Sequence, residues 1–311
     1  MAAAASTAPA KLRILIVDDE PDVHSVTRLS LRGLKFGDRE VETLSAHSGK
    51  DAVAALRGDP GIAVILLDVV METDSAGLDA CRAIRNDLGN RTVRILLRTG
   101  QPGQAPEKQT IDSYDLDGYL PKAEQTSTRL YSAVRAALKS WTELVELERY
   151  RRYMSIIHNR AVTLHSYDPL AVTLSRILEA ALEICPAPLG VLQLNTLEHD
   201  GGAQRYFSHL ASGPERARGA LAAEEVRARI DRDPQARAAS APLSYAGGVL
   251  IPLIVHRGLG SGWMFLADTA ADELAQTALV LLAGHAGNAL YSAVAEKVLA
   301  GAAEKVDSIA I

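Results

Sequence analysis

Short apolar runs alternate with segments of helical periodicity from Lys11 to about Leu138. Runs such as Ile62–Leu67 are apolar throughout instead of alternating with polar residues, which is typical of parallel strands covered by helices on both faces. We therefore predict an α/β fold for residues 11–138, a (βα)5 doubly wound parallel sheet. The five predicted strands are Leu12–Val17, Val41–Ala46, Ile62–Leu67, Val93–Arg98 and Leu116–Leu120.

Apolar residues then recur at spacings of three and four, which predicts a long connecting helix over residues 124–165 that overlaps the last helix of the first domain. The run Glu146 to Arg152 makes one turn mostly polar, and its simplest interpretation is a solvated helix face. A helix of this length also suits a connector or a dimer seam. We favour a connector and consider a homodimer through it.

A second domain is predicted over residues 166–300. Asp168-Pro169 suits the start of a new helix that ends near Ile184. Strand-like runs and Gly-rich turns follow, so we expect a C-terminal α+β domain. The remaining predicted elements are strands Leu189–Leu194, Gly248–Val255 and Gly262–Ala267, a last helix over about Asp272–Leu299, and tails at residues 1–10 and 301–311.

Composition narrows the functional classes. The chain has 311 residues, 48% of them apolar, which suits two globular domains. A net charge of -5 without a dense basic cluster argues against nucleic-acid binding. No run of about eighteen apolar residues is present, so we expect no membrane span. Cys81 and Cys185 stand far apart, which fits a cytoplasmic protein without a disulfide framework.

Polar residues follow the predicted strands. The first strand ends in Asp18-Asp19, the third in Asp68 and the fourth in Thr99, while the fifth leads to Lys122. Ligand sites of open parallel sheets lie outside the carboxyl ends of the strands. Carboxylates gathered there require a compensating cation, and Mg2+ prefers hard oxygen ligands of this kind. We therefore predict a Mg2+-assisted phosphoryl-transfer site with no organic cofactor.

These positions resemble the receiver domain of bacterial two-component response regulators, a flavodoxin-like fold. The resemblance rests on Leu15-Ile16-Val17-Asp18-Asp19, Leu66-Leu67-Asp68-Val69-Val70-Met71, Arg98-Thr99-Gly100 and Gly118-Tyr119-Leu120-Pro121-Lys122. It implies that Asp68 is the phosphoacceptor, assisted by Thr99 and Lys122. It also implies that Asp19, Asp68 and the Val70 carbonyl bind Mg2+ directly, that Asp18 acts through water, and that Thr99 and Tyr119 are switch residues.

Two positions depart from the usual receiver pattern. Ala123 follows Lys122 where many receivers have a proline with a cis peptide bond, so we expect a trans bond and a looser lysine loop. Glu72 stands where a proline is common, in a longer acidic loop. Neither change touches a reacting group.

The C-terminal domain resembles a GAF domain in its last helix, Leu281 to Tyr291. The stretch from Tyr114 to Leu138 also resembles regulators in which a receiver precedes a GAF-like module of undefined function, commonly followed by an HD-GYP domain. The HD-GYP motifs are missing here: His199-Asp200 is the sole His-Asp pair, has no companion histidines and suits a surface turn. His285, His158, His165 and Cys185 carry no further ligand or phosphotransfer signature.

The expected function is that of a response regulator, phosphorylated on Asp68 by a sensor histidine kinase or phosphotransfer protein, which relays its state through the connecting helix. We expect no enzymatic activity beyond its own phosphorylation and dephosphorylation. Either the chain is truncated before an output domain or it works without one. Two alternatives remain: a sensor of an unidentified small ligand in the GAF-like domain, and a dimeric scaffold.

Overall fold

The computed structural model describes residues 11–100, 114–122, 126–164, 169–197, 203–212, 218–255 and 259–309. The chain divides into two compact units, Met1–Glu148 and Arg149–Ile311. Some predicted features lie outside the described residues, namely the tail 1–10, Ala123, His165, Asp168 and the pair His199-Asp200.

The first unit contains a six-stranded sheet among its described residues. Its strands are β1 (Leu12–Val17), β2 (Lys35–Phe36), β3 (Arg39–Ala46), β4 (Ile62–Asp68), β5 (Arg94–Thr99) and β6 (Gly118–Pro121). The order is β2-β3-β1-β4-β5-β6, with every pairing parallel except that of β2 with β3. The five parallel strands thus have the flavodoxin-like order, and the predicted parallel sheet is confirmed.

Both faces of this sheet are covered, which explains apolar runs such as Ile62–Leu67 in β4. Successive side chains of a strand point to opposite faces. One face buries Leu15, Val17 and Leu67, and the other buries Ile14, Ile16 and Leu66. The helices of the unit are α1 (Pro21–Ser30), α2 (Gly49–Gly58), α3 (Ala76–Arg82, followed by a π-helical turn Ala83–Asp87) and the first part of α4 (Ser127–Leu164).

Besides shifts of one or two residues in the bounds of β3, β4 and β5, two details of the first sheet differ from the sequence-based expectation. The two-residue strand β2 was not predicted; it pairs with the start of β3 across Gly37, whose positive φ of 58° permits the tight turn. The last strand was predicted at Leu116–Leu120 but comprises Gly118–Pro121. It begins later because Asp115 has a left-handed backbone and the Asp117 side chain, accepting from Ile95 N, belongs to the turn.

Helix α4 extends over Ser127–Leu164, against a predicted range of 124–165. Its first turns bury Leu130, Val134 and Trp141 against the sheet of the first unit. The division between the two units falls at Glu148 and Arg149, within the charged run that interrupts the apolar pattern.

The second unit is a five-stranded antiparallel sheet between helices. The predicted α+β arrangement is therefore present, while its GAF-like character stays a prediction. Its strands are β7 (Leu189–Leu197), β8 (Ala203–Ala211), β9 (Leu243–Tyr245), β10 (Gly248–Val255) and β11 (Gly260–Leu266), in the order β8-β7-β11-β10-β9. Its helices are α5 (Leu170–Ile184), α6 (Gly219–Arg232), α7 (Pro234–Arg237) and α8 (Glu273–Ile309).

Each face of the second sheet packs against its own helices. Buried residues of α5 and α8 share a core with Leu192, Leu194 and Ile251, whereas those of α6 and α7 share one with Val191 and Phe265. The edge strands β8 and β9 were not predicted. Strand β8 mixes polar and apolar residues and is only partly buried, and β9 has three residues, so neither shows a clear period.

The last helix was predicted to end at about Leu299 and to be followed by a tail at 301–311, but α8 continues to Ile309. Strong helix formers such as Ala302, Ala303 and Lys305 explain the extension. By length and composition Glu273–Ala295 could cross a membrane. Length and composition alone are weak evidence for a membrane span, because Ala278, Leu279 and Leu282 of the same segment are buried in the core of the unit.

Candidate functional site

Three carboxylates meet at the carboxyl ends of β1 and β4. The parallel register pairs Val17 with Leu67, so the residues that follow, Asp18 and Asp68, come next to each other. One ligand atom of each of Asp18, Asp19 and Asp68 lies within 4.8 Å of the others. Asp18 and Asp68 are buried, whereas Asp19 is exposed. The structure thus brings together the three acidic residues that the sequence singled out.

Lys122 supplies a cation to this cluster. Its Nζ lies 2.8 Å from Oδ2 of Asp68 and 3.0 Å from Oδ2 of Asp18. Burial raises the pKa of the Asp68 carboxyl above its usual value, and the hydrogen bond and charge of Lys122 offset only part of that shift. Burial also disfavours the charged form of Lys122, but the hydrogen bonds to Asp68 and Asp18 and the charges of these carboxylates together outweigh it and raise the lysine pKa.

The backbone around Asp68 is held on both sides. Val69 N donates to the Arg98 carbonyl at 3.1 Å, and Gly77 N donates to the Val69 carbonyl at 3.0 Å. A Cβ atom on Gly77 would stand 2.0 Å from the carbonyl oxygen of Asp68, so only glycine allows α3 to approach so closely. Asp68 is therefore presented on a closely packed strand end instead of on a free loop.

Glu72 ties the loop after β4 to α2. Its two carboxylate oxygens lie 3.1 Å and 3.3 Å from the backbone N of Gly49, which donates to them. Gly49 is the first residue of α2, where free N–H groups and the helix dipole favour a negative charge. The sequence marked Glu72 only as a substitute for proline; the structure gives it a contact.

The Asp18 side of the site is ordered by its own contacts. Oδ1 of Asp18 accepts from Glu20 N at 3.1 Å. Nε2 of the buried His24 lies 2.7 Å from the Asp18 carbonyl oxygen, and its Nδ1 lies 2.9 Å from Ser45 Oγ. Sequence reasoning missed His24. The one feature of the sequence that could have indicated it was its position, six residues after Asp18 on a short helix.

Arg98 is a second residue that sequence reasoning did not include in the site. Its side chain is buried on β5, and Nη1 donates to Thr27 Oγ1 at 2.8 Å. Burial lowers the pKa of Arg98, and the charges of Asp18 and Asp68 act in the opposite direction. The available signal was an arginine directly after the apolar run Ile95–Leu97 and next to Thr99.

The other predicted site residues are placed as follows. Thr99 is the last residue of β5, and its side chain lies outside the described part of the chain. Tyr119 is half-buried on β6 and packs against the core that contains Leu67 and Leu97. Val70 is partly exposed in the loop after Asp68. The proposed roles of these three residues stay predictions.

The donor set suits a hard divalent cation. Carboxylate oxygens are the ligands that Mg2+ prefers. Here three carboxylates lie within a few ångströms of one another, and Lys122 contacts two of them. Two of them are buried, so an additional cation would relieve their repulsion. Among the residues that the structure describes, Asp18, Asp19 and Asp68 are the His, Cys, Asp or Glu residues that lie close enough together to hold a metal ion.

The comparison with protein families identifies the first unit. Residues 14–135 match the response regulator receiver domain family. The 3'3'-cGAMP-specific phosphodiesterase 2 of Vibrio cholerae serotype O1 (strain ATCC 39315 / El Tor Inaba N16961) is 44% identical over 135 residues, which are 43% of this chain and 26% of that protein. The similarity thus spans about a quarter of that relative's length.

Solved structures of receiver domains are also similar. A response regulator receiver domain protein from Clostridium thermocellum has 21% identity and a TM-score of 0.36 over 43% of this chain and 98% of that chain. The signal receiver domain of an HD domain-containing protein from Pseudomonas fluorescens Pf-5 has 17% identity and a TM-score of 0.36, with the same coverage of 43% and 98%.

Proposed function

Because residues 14–135 form the receiver domain of a two-component response regulator, we propose that the chain accepts a phosphoryl group on Asp68. The donor is a sensor histidine kinase or a phosphotransfer protein, and small phosphodonors such as acetyl phosphate replace it in vitro. The observation that carries the proposal is the cluster of Asp18, Asp19 and Asp68, two of them buried, with Lys122 in contact with Asp18 and Asp68.

In the proposed reaction a carboxylate oxygen of Asp68 attacks the phosphorus atom of the donor. A new P–O bond forms, the bond from phosphorus to the donor breaks, and acetate leaves when acetyl phosphate is used. In this proposal Lys122 pairs with the phosphoryl oxygens, and Thr99 supplies a hydroxyl at the end of β5. The Asp68 oxygen must be unprotonated to attack, and Lys122 favours that form.

Asp19, Asp68 and the Val70 carbonyl would hold Mg2+, with Asp18 acting through water. Mg2+ supplies neutralisation of the charge that develops on the transferred group. The exposed side of the cluster at Asp19 leaves access for the donor, while burial of Asp18 and Asp68 keeps the reacting side apart from bulk water.

The phosphorylated state is relayed by repacking. A phosphoryl group adds close to two negative charges and three acceptor oxygens at the sheet edge. Thr99 and Lys122 turn towards it, and Tyr119 moves inward as the switch aromatic. These changes bias α4 and, through it, the GAF-like second domain between two states. Formation of a homodimer through α4 would be the change that reports the phosphorylated state.

The direct test compares wild type with Asp68→Asn after incubation with acetyl phosphate and Mg2+. A phosphate-affinity gel and the intact mass should show one added phosphoryl group in wild type and none in the variant. Asp79→Asn is the matched control, because Asp79 is exposed on α3 and pairs with Arg82. Equal phosphorylation of wild type and Asp68→Asn would refute the proposal.

We propose no phosphodiesterase activity for this chain. Phosphodiesterase activity is named for the relative from Vibrio cholerae, and the similarity to this chain covers 26% of that relative's length. Turnover of a cyclic dinucleotide by the purified chain would contradict this.

Light scattering of the phosphorylated and unphosphorylated forms separates regulated from fixed dimerisation. A compound retained through purification and detected by mass spectrometry would favour the ligand sensor.

A further inference from the structure

Arg98 belongs to a row of charged residues that crosses the first sheet. Asp68 on β4 pairs in register with Arg98 on β5. On the other side of β4, Ile16 pairs with Leu66, so two residues further Asp18 lies opposite Asp68. Side chains two residues apart on a strand share a face. Asp18, Asp68 and Arg98 therefore lie on the face that buries Ile16 and Leu66.

The guanidinium is held in place at this face. Arg98 is 6% exposed, compared with 5% for Asp68 and 1% for Asp18, so all three members of the row are shielded from water. Nη1 of Arg98 donates to Oγ1 of Thr27, which is itself buried on α1. Arginine stays charged under all ordinary conditions. The row thus contains a permanent cation at a fixed position beside two carboxylates.

The charges of the site balance only when Arg98 is counted. Three carboxylates with Lys122 and Arg98 leave one net negative charge. A divalent cation reverses the sign. Replacing the charge of the Asp68 carboxylate by a phosphoryl group with close to two negative charges then brings the site to about zero. Net charge beside the buried Asp18 and Asp68 is costly, so this neutrality favours the phosphorylated form.

We propose that Arg98 is a positioning residue of the phosphoryl site. Its fixed charge weakens binding of the divalent cation to the unphosphorylated cluster and stabilises the cluster once Asp68 carries the phosphoryl group. This inference rests on the proposed phosphorylation of Asp68. It predicts opposite changes in two properties when the charge is removed, namely tighter Mg2+ binding and a lower level of phosphorylation.

The test uses the full chain with Arg98→Met and Arg98→Gln. Calorimetric titration with MgCl2 should show about tenfold tighter binding in both variants, because a repelling charge has been removed. The phosphorylated fraction at saturating Mg2+ and acetyl phosphate should fall. Damage to the structure of the site would weaken Mg2+ binding, so tighter binding separates the role of the charge from a merely structural role.

Two controls isolate the charge. Arg98→Lys keeps it, and Thr27→Val removes the hydroxyl that accepts from Nη1 while leaving the guanidinium in the chain; both should bind Mg2+ within about threefold of wild type. Mg2+ affinity of Arg98→Met and Arg98→Gln equal to or weaker than that of wild type overturns the inference, even if wild type is phosphorylated.

Failure of the proposed function looks different, because wild type then gains no phosphoryl group at any Mg2+ concentration. Should neither neutral variant fold without Mg2+, the inference requires that Mg2+ restores folding, since the divalent cation replaces the lost charge. Circular dichroism with and without Mg2+ decides this, and no recovery overturns the inference.

Discussion

Nζ of Lys122 lies 2.8 Å from Oδ2 of Asp68. The same ammonium group is 3.0 Å from Oδ2 of Asp18, so one cation from the end of β6 pairs with two buried carboxylates from the ends of β1 and β4. A divalent cation at the cluster would act on the same carboxylates. Lys122 therefore couples the stability of the first unit to the occupancy of its candidate metal site.

Lys122→Gln should lower the free energy of unfolding by about 2 kcal/mol in the presence of a chelator, because it removes the ammonium group that pairs with two buried carboxylates. Added Mg2+ should recover part of the loss. Urea unfolding with and without Mg2+ measures both effects. Lys139→Gln is the control: this lysine is exposed on α4, pairs with Glu143 at 3.8 Å, and should change stability by less than about 0.5 kcal/mol.

Two glycines of α8 should respond in opposite ways to alanine. A Cβ atom on Gly287 would stand 2.2 Å from the carbonyl oxygen of Ile254 on β10, whereas one on Gly284 meets nothing within 4 Å. We expect Gly287→Ala to destabilise the protein by about 2 kcal/mol through overpacking. Gly284→Ala should stabilise it by up to about 1 kcal/mol through helix propensity. Thermal unfolding compares the two, and similar effects would contradict the close packing of α8 on β10.

Glu72→Ala should cost about 1 kcal/mol of stability, since it removes the carboxylate that accepts from Gly49 N at the first turn of α2. Glu72→Gln keeps a carbonyl acceptor and should lose less. Asp74→Ala, in the same loop, is the control and should change stability by less than about 0.5 kcal/mol. Urea unfolding in which the two alanine variants behave alike would argue against a specific role of Glu72.

The ion pair between Arg149 and Asp272 predicts a pH effect in the second unit. Burial alone would raise the Asp272 pKa. The hydrogen bond that Ala275 N donates to Oδ1 of Asp272 and the 2.7 Å contact of its Oδ2 with Arg149 lower it. A lowered carboxyl pKa contributes stability above the unfolded value, about 3.9, and this contribution is lost as the pH falls through the folded value.

Asp272→Asn should therefore destabilise the protein at pH 7 and have a smaller effect at pH 3. The Asp272 side chain is 52% exposed, so solvent screening limits the difference to a few tenths of a kcal/mol. Urea midpoints at both pH values measure it, with Glu273→Gln as the control. A larger destabilisation at pH 3 than at pH 7 would contradict the lowered pKa of Asp272.

Cys81 should be unreactive in the folded protein. Its side chain is fully buried, and burial raises the pKa of the thiol to about 12, so almost no thiolate is present near neutral pH. In a Cys185→Ala background, a thiol reagent at pH 8 should label Cys81 only after denaturant is added. Rapid labelling under native conditions would mean that the core around α3 opens readily.

The sequence alone predicted the parallel sheet of the first unit and its chemistry. Apolar runs such as Ile62–Leu67 indicated strands buried on both faces, and the polar residues after them identified Asp18, Asp68 and Lys122 as neighbours. Both inferences depend on local pattern and on the rule that parallel strands end at one edge. The sequence did not reveal β2 or β9, because strands of two or three residues carry no measurable period.

What only the tertiary structure decided were relationships between residues far apart in the chain. Asp68 and Arg98 come together because neighbouring parallel strands place them in register, and Thr27 reaches Arg98 because α1 covers the same face. Glu72 contacts Gly49 because the β4–α3 loop ends beside the first turn of α2. Sequence periodicity specifies the face of each element, whereas register and packing between elements determine which side chains on that face meet.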